Sequence, residues 1–563
     1  LFAPFALFLP GYLFLKSIWG KNEKLNFWEA VILSVALSFL FAYPLGIANN
    51  IIEYLYSPNP FQVHIDTLFP LYIILCAALY IFSRKKDHFH TALEPVQKKW
   101  LYLILSIFTL AVFLRLYGNA LQNINQDEQE LSLYSYNLID GILVGRNALF
   151  LSSSMHSPLG FFVSFITYQL IIPFGYNHAP EYIVRSPMIV FGILELALFL
   201  LFAKRWKISK SFTALGFLLL AINTYAIFGS RLMIPQDGSI FTFFVLLLSY
   251  FFLRFLDKDG KPAKLDIFLI GLLAAATILV KLAAIFLIPP VLLFWFLRKK
   301  SAWHLLQTSF VTLLFFSPVI LFNALAYKLT GFTDVPTAKL LNFFGIEANS
   351  IMNNEEYYGA ILPPFFKTMA GFLEMLADQW SLPIALYLLI PIPFYFILRK
   401  KIVGNKTSIT FFLALFTISL IFFSLNGYRS YYAEYLTVPL LLIAMAVLET
   451  IRNRNLAAEI FIIICSVAAV SYSFAYTLNT HVIVTPRPDY IEIGEFGRVG
   501  LYTYEAFKQH RSLASWSFLR DDGFPALREF ILETDDLLVI DDTFLGEYKH
   551  HFRWYLGIDR GVD

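Results

Sequence analysis

Two adjacent carboxylates, Asp127 and Glu128, follow a long apolar run and lie in a stretch rich in amide side chains. A carboxylate held against a hydroxyl group can accept its proton while the oxygen forms a new bond, so the pair is a candidate general base. The pair also has a local structural interpretation, because Asn125 and Glu128 have the spacing of a helix-capping box. A two-residue motif is compatible with both, and the rest of the chain must decide between them.

Further charged residues stand between apolar runs, where an ionisable side chain is costly unless it has a partner. Arg231 and Asp237 share one short connection, Lys281 stands in another, and Arg429 and Tyr431 belong to a tyrosine-rich segment before a late apolar run. Lysine supplies a point charge and arginine can hold two oxygens, so these cations could bind a lipid-linked phosphate together. The alternative is contact with lipid headgroups or, for Arg231 and Asp237, an ion pair with each other.

His156 begins the segment His156-Ser-Pro-Leu, and no His-Glu pair at metal-ligand spacing accompanies it. We therefore expect His156 to support the site through hydrogen bonds, we assign no cofactor, and we leave a divalent metal open. Cys76 and Cys465 lie inside apolar segments without a CxxC pattern, so we predict no disulfide and no redox site.

The composition indicates that membrane helices position all these residues. Hydrophobic residues make up 58% of the 563 positions and charged residues only 15%, an apolar excess typical of a chain whose main solvent is the bilayer. The net charge of +3 comes without a broad basic face, which excludes nucleic acid as a partner. A helix of about 20 apolar residues crosses the hydrocarbon core. We predict spans near residues 2–17, 27–48, 66–83, 99–117, 181–203, 211–228, 238–254, 265–280, 283–297, 304–326, 381–398, 408–424, 435–450 and 456–478.

The orientation follows from the short Lys and Arg clusters between the spans, because such clusters stay on the cytoplasmic side. All of them fall on one side only if the apolar segment 157–175 does not cross the membrane, so we predict that this segment is re-entrant. The outer side then receives residues 118–180, 327–380 and the tail from 480 onward. Asp127, Asp237, Lys281 and the Arg429 segment all lie on that outer side.

Taken in order, these motifs resemble glycosyltransferase family 39 of the GT-C fold, which includes protein O-mannosyltransferases and lipid A aminoarabinose transferases. The resemblance covers about residues 99–450, and Ser157 stands where the family usually has a proline. It rests on Asp127-Glu128, His156-Ser157-Pro158-Leu159, Arg185-Ser-Pro187, Ser230-Arg231 followed by Asp237, the apolar run Gly271 to Lys281, and Arg429 to Tyr435.

The resemblance implies an all-α polytopic membrane protein with a GT-C-like fold and a small extracytoplasmic α/β region at the end. We expect three parts: N-terminal helices outside the family core (1–98), a catalytic transmembrane domain (99–479), and an α/β tail that we expect to be truncated (480–563).

By the same resemblance, Asp127 would be the general base, with Glu128 and Asp237 shaping the acidic pocket around it. Arg231, Lys281 and Arg429, with His156 and Tyr431, would bind the substrates. The donor would be a polyprenyl-phosphate sugar, and the acceptor a protein, lipid or glycan. Phosphate leaves as a stable anion and needs no acid, so direct displacement would invert the anomeric centre.

Three alternatives stay open, and one of them, a purely structural membrane protein, gives no reason for acids and cations to converge on the outer side. A transporter or flippase would need ionisable residues in the middle of the membrane, whereas in this sequence they gather at outer helix ends. An oligosaccharide ligase or polymerase for lipid-linked glycans shares the outer-face chemistry, and only the order of the motifs argues against it.

Overall fold

The structure is a computed structural model that describes part of the chain. The described residues are 2–19, 25–56, 65–84, 91–92, 97–117, 159–160, 185–231, 238–258, 264–298, 300–330, 332–333, 337–338, 341–342, 346–347, 349–350, 365–380, 382–402, 405–426, 434–454, 456–481, 490–492 and 498–500.

Long helices dominate these residues because the apolar runs can satisfy their backbone groups internally only as helices. The helices are α1 (Phe2–Ile18), α2 (Phe27–Tyr56), α3 (Ile65–Arg84), α4 (Lys98–Leu116), α5 (Ser186–Arg205), α6 (Lys210–Ala221), α7 (Thr224–Arg231), α8 (Ser239–Leu256), α9 (Lys264–Val280), α10 (Ile288–Leu297), α11 (Ala302–Thr330), α12 (Phe365–Trp380), α13 (Leu382–Leu389), α14 (Pro391–Leu398), α15 (Lys406–Asn426), α16 (Thr437–Arg452) and α17 (Leu456–His481). Two 3-10 helices, Leu282–Leu287 and Glu434–Leu436, precede α10 and α16.

The helices match the predicted membrane spans. Seven helices in the described part are long and apolar enough to cross a membrane, and the bent pair α6 and α7 adds an eighth if it counts as one span. Most of the remaining predicted spans coincide with shorter apolar helices, such as Phe69–Arg84 and Ala284–Leu297, and the span near 265–280 coincides with α9. The chain is therefore a multi-pass membrane protein built from α-helices, as the sequence predicted.

The centre of the bundle is formed by α5, α8 and α16, whose side chains are mostly or almost completely buried. Around it, α3, α4, α11 and α17 turn large apolar side chains outward, including Phe82, Tyr102, Phe310 and Ile464. Lipid tails solvate such side chains as well as a protein core does, so these four helices belong to the lipid-facing part of the bundle.

The N-terminal helices pack directly on this bundle. Phe39 of α2 lies against Phe191 of α5, with ring centroids 4.9 Å apart. Near the start of α2, Glu29 accepts a 2.5 Å hydrogen bond from the Tyr250 hydroxyl and forms a 3.0 Å ion pair with Arg254, both from α8. The N-terminal helices are thus joined to the core by apolar contacts and by buried charge.

The span formed by α6 and α7 is broken at Ile222 and Asn223, where its axis bends by 51°. A break inside a membrane frees carbonyl groups that need new donors. Thr477 and Ser473 of α17 donate to the Ile222 carbonyl at 2.5 and 3.3 Å, and Arg115 of α4 donates to the Ala221 carbonyl at 3.4 Å. The bend is therefore fixed by side chains from two neighbouring helices.

Strands are short in the described part. Leu25–Asn26 pairs in parallel with Thr91–Ala92, and Phe332–Thr333 in parallel with Asn349–Ser350. In the C-terminal tail, Tyr490–Glu492 pairs antiparallel with Arg498–Gly500. The rest of the predicted α/β tail, from 501 to 563, lies outside the described residues.

Candidate active site

A cluster of buried polar side chains lies where one end of the bundle brings several helix termini together. There α4 and α7 end, while α5, α8 and the 3-10 helix before α16 begin. Each of these side chains is at most 1% exposed. We call them the polar cluster: Arg115, Arg185, Glu195, Ser230, Arg231, Ser239 and Glu434.

Arg115 is the residue through which most of the polar cluster is connected. Its Nε donates to the Ser230 hydroxyl at 3.2 Å, and its Nη1 donates to the carbonyl groups of Ala111 and Ala221 at 3.2 and 3.4 Å. Its charge is attracted to both Glu195 and Glu434. One side chain of α4 therefore contacts α7 and the broken span while balancing two buried carboxylates.

Arg231, the last residue of α7, makes the reciprocal contact. Its Nη2 donates to the Leu114 carbonyl at 2.8 Å and to the Tyr117 carbonyl. Both oxygens belong to the end of α4, where the terminal carbonyls of a helix have no partner within the helix. Arg231 thus caps α4, while Arg115 donates to Ser230, the residue before Arg231.

Glu434 and Glu195 are the two acidic side chains of the polar cluster. The Ser239 hydroxyl donates to Glu434 Oε1 at 3.5 Å, and Ser239 and Ser230 have their hydroxyl oxygens 3.2 Å apart. Gly229 lies against the Glu434 carboxylate, so a methyl group at this position would collide with it. Glu195 lies deeper, roughly 14 Å along α5 from its start at 1.5 Å per residue, and neither of its oxygens accepts a hydrogen bond from the described residues.

Lys281 follows the last residue of α9, at the same end of the bundle as the polar cluster. Its Nζ is 5.7 Å from the centre of the Phe241 ring, a cation–π distance, and the side chain is partly exposed. Phe241 is two residues after Ser239, and its ring packs edge-on against Tyr435, next to Glu434. Lys281 therefore adds a fourth cation at this end of the bundle.

The structure describes two of the predicted site residues, Arg231 and Lys281, and brings both to this end of the bundle. The headgroup alternative for Arg231 is wrong, because its side chain is 0% exposed and its guanidinium donates to backbone carbonyls. The other predicted site residues lie outside the described residues: Asp127, Glu128, His156, Asp237, Arg429 and Tyr431.

Arg115, Glu195 and Glu434 had no predicted role. The expectation that span interiors are nearly uncharged is wrong for Glu195, a fully buried residue in the middle of α5. A signal was present, since Arg115 and Glu195 are ionisable residues of opposite sign inside two apolar runs. Buried charges in membrane spans are costly alone and pair with one another.

No group of three His, Cys, Asp or Glu side chains that could hold a metal ion is found in the part of the chain that the structure describes. Within it, the polar cluster offers two carboxylates, and both interact with the Arg115 cation instead of forming an open ligand set.

Comparison with solved structures identifies the architecture. ArnT from Cupriavidus metallidurans bound to undecaprenyl phosphate matches with a TM-score of 0.51 and 16% identity, over 82% of this chain and 76% of that chain. The chain has the GT-C fold. The apo structure of the same ArnT gives a TM-score of 0.48 with 16% identity, over 82% of this chain and 75% of that chain.

A family model described as dolichyl-phosphate-mannose-protein mannosyltransferase matches residues 156–352 of this GT-C chain. That range includes α5 to α9 and therefore Arg185, Glu195, Arg231 and Lys281. No curated protein sequence matches the chain significantly. The predicted resemblance to GT-C glycosyltransferases is thus confirmed by the fold and by this family match.

Proposed function

We propose that the chain is a membrane glycosyltransferase that transfers a sugar from a polyprenyl-phosphate donor to an acceptor on the extracytoplasmic side. The observation that carries the proposal is the gathering of four cations, Arg115, Arg185, Arg231 and Lys281, at one end of a GT-C bundle. Positive charge concentrated at the ends of membrane spans suits an anionic group on a lipid that diffuses within the bilayer.

Two comparisons support the donor class. The family model that matches residues 156–352 carries a dolichyl-phosphate-mannose description, and the structure similar to this chain is that of ArnT bound to undecaprenyl phosphate. Both names contain a polyprenyl phosphate, and only the family description names an acceptor, a protein. We therefore propose a polyprenyl-phosphate sugar as donor, and we leave hexose or pentose, and protein, lipid or glycan acceptor, to direct assay.

The proposed chemistry assigns the base to Asp127 and the leaving-group charge to the cations. Asp127 would take the proton of the acceptor's hydroxyl group while the oxygen of that hydroxyl attacks the anomeric carbon. The bond from the anomeric carbon to the phosphate oxygen breaks at the same time. Lys281, with Arg429 and the electrostatic field of the buried arginines, would stabilise the departing phosphate. Attack opposite the leaving group inverts the anomeric configuration.

The sequence links the predicted acids to the polar cluster. Asp237 stands two residues before Ser239, Arg429 five residues before Glu434, and Asp127 ten residues after Tyr117. Since n residues span at most about 3.3–3.6 Å × n, these short separations support the proposal that Asp237 and Arg429 belong to a site at this end of the bundle. We propose that Glu128, His156 and Tyr431 complete the site around them.

The extracytoplasmic side is proposed from the distribution of charge. Four cations lie around the connection from α5 to α6, at the opposite end of α5 from Arg185: Lys204 and Arg205 end α5, Lys207 follows it, and Lys210 begins α6. Cationic loops of this kind remain in the cytoplasm. Because Cys76 and Cys465 are the two cysteines of the chain, a background without them permits labelling at Asn119→Cys and Lys207→Cys with an impermeant reagent. We expect labelling from outside at position 119 alone, and the reverse pattern would place the site in the cytoplasm.

The transfer itself is tested with the purified full chain in lipid, supplied with radiolabelled polyprenyl-phosphate mannose or aminoarabinose and a panel of peptide, lipid and glycan acceptors. We expect release of free polyprenyl phosphate coupled to a labelled acceptor. A parallel proteoliposome assay follows whether the donor crosses the bilayer intact. Crossing of the donor without sugar transfer would support a flippase and contradict the proposal.

A further inference from the structure

Arg115 and Arg231 form a reciprocal connection between the end of α4 and the end of α7. Arg115 of α4 donates to Ser230 of α7, and Arg231 of α7 donates to the carbonyls of Leu114 and Tyr117. Two adjacent helix ends are thus held by two side chains that run in opposite directions. Such a connection fixes both the distance between the helix ends and their rotation.

The position of this connection is costly in a membrane protein. Arg115, Arg231 and Arg185 are each 0% exposed, and the like charges of Arg115 and Arg185 repel Arg231. The attraction of Arg115 to Glu195 and Glu434 offsets part of that cost. Apolar side chains of similar size would commonly stabilise such a junction as well or better. The arrangement is therefore better explained by a demand for defined geometry than by a demand for stability.

The contact between the ends of α4 and α7 defines where two further segments of the chain begin. Residues 118–130, with Asp127, follow directly after Tyr117, and residues 232–237, with Asp237, follow directly after Arg231. Arg231 donates to the carbonyl of Tyr117, after which the first segment begins. Arg115 donates to Ser230, the neighbour of Arg231, after which the second segment begins. The segment with Arg429 is followed by Glu434, whose carboxylate is attracted to Arg115.

We propose that Arg115, whose charge is attracted to Glu195 and Glu434, is a positioning residue for sugar transfer: it fixes the ends of α4 and α7, after which the segments carrying Asp127 and Asp237 begin. This inference rests on the proposed function and deepens it, because it adds a buried residue that acts through the position of other groups. A shift of about 1 Å in catalytic groups can cost on the order of 100-fold in rate, so such a residue acts mainly on kcat.

The test compares two double variants that each remove one arginine and one glutamate. Arg115→Met with Glu195→Gln abolishes the contact to Ser230, whereas Arg254→Met with Glu29→Gln removes a partly buried ion pair at the other end of α8. Thermal unfolding in detergent, kcat and donor KM, and amide hydrogen exchange over residues 118–130 and 232–237 are measured for both.

We expect the Arg115→Met/Glu195→Gln protein to fold, to lose about 100-fold in kcat with donor KM nearly unchanged, and to exchange faster in both segments. The Arg254→Met/Glu29→Gln protein should lose stability alone. Arg115→Lys, which keeps the charge without the guanidinium geometry, should also lose kcat.

Normal kcat in Arg115→Met/Glu195→Gln, or equal exchange in the two double variants, would overturn the positioning role. If the wild-type chain transfers no sugar, the proposed function fails, while the exchange comparison still decides the positioning claim. The two failures are therefore distinguishable.

Discussion

The Arg231 guanidinium donates a 2.8 Å hydrogen bond to the Leu114 carbonyl oxygen, so a residue predicted to bind substrate also caps a neighbouring helix. In Arg231→Met, the Leu114 and Tyr117 carbonyls lose this donor, and leaving buried acceptors unsatisfied costs about 1–3 kcal/mol. We expect a lower thermal midpoint together with weaker donor binding. Arg231→Lys keeps the charge, so donor affinity retained in Arg231→Lys but lost in Arg231→Met would assign the binding effect to charge alone. Equal donor affinity in all three proteins would restrict Arg231 to the helix cap.

Asp127→Asn tests the proposed general base. The amide keeps the size of the carboxylate but cannot accept the acceptor's proton, so transfer should fall by at least about 100-fold, the usual scale for a lost base. The measurement is the single-turnover rate with saturating donor. Asp257→Asn removes a carboxylate that is ion-paired with Arg205 at the other end of α8 and serves as the matched control. Full turnover in Asp127→Asn would remove this residue from the mechanism.

Lys281→Ala tests whether the partly exposed cation binds the donor. The variant removes a positive charge that lies over the Phe241 ring near Glu434, and we expect donor KM to rise while kcat changes little. Lys281→Arg keeps the charge and should restore most of the affinity. Unchanged donor KM in Lys281→Ala would show that this lysine only anchors the chain at lipid headgroups.

Gly229→Ala tests the packing of Glu434 against α7. A Cβ at position 229 would meet both carboxylate oxygens of Glu434, and this overpacking should cost about 1–3 kcal/mol of stability and displace the carboxylate from Ser239. In a Glu434→Ala background the space is open, so the same substitution should cost much less there. Thermal unfolding of the four proteins of this double-mutant cycle measures the coupling. Additive effects would show that the glycine is not needed for the close approach.

Much of the fold could be predicted from the sequence because the bilayer imposes a strict length rule on apolar runs. The runs that became α8 and α16 were long and uninterrupted, so their positions were clear. The bend at Ile222 was not predicted, since its cause is the supply of donors by Ser473 and Thr477, which lie far away in the sequence.

The candidate site could be predicted where a charge stood in a connection between spans, as with Arg231 and Lys281. Arg115 and Glu195 were not predicted because each lies inside an apolar run. A single charged residue changes the mean hydropathy of a long run too little to interrupt it. Whether Arg115 and Glu195 interact depends on which helices are neighbours in the fold. A search for opposite charges in separate spans would have suggested the pair, although several alternative partners would have matched equally well.

Ser473 and Thr477 of α17 are synthesised long after the carbonyl group of Ile222 to which they donate. The Ile222 carbonyl accepts a hydrogen bond from Thr477, a residue that the ribosome adds 255 positions later. During insertion, the broken span therefore enters the bilayer before its donor exists, and water or the insertion machinery must satisfy the carbonyl until then. The bend at Ile222 can therefore gain these two donors only after α17 has joined the bundle. A chain that stops before α17 would lack them even though every charged residue of the polar cluster has been made.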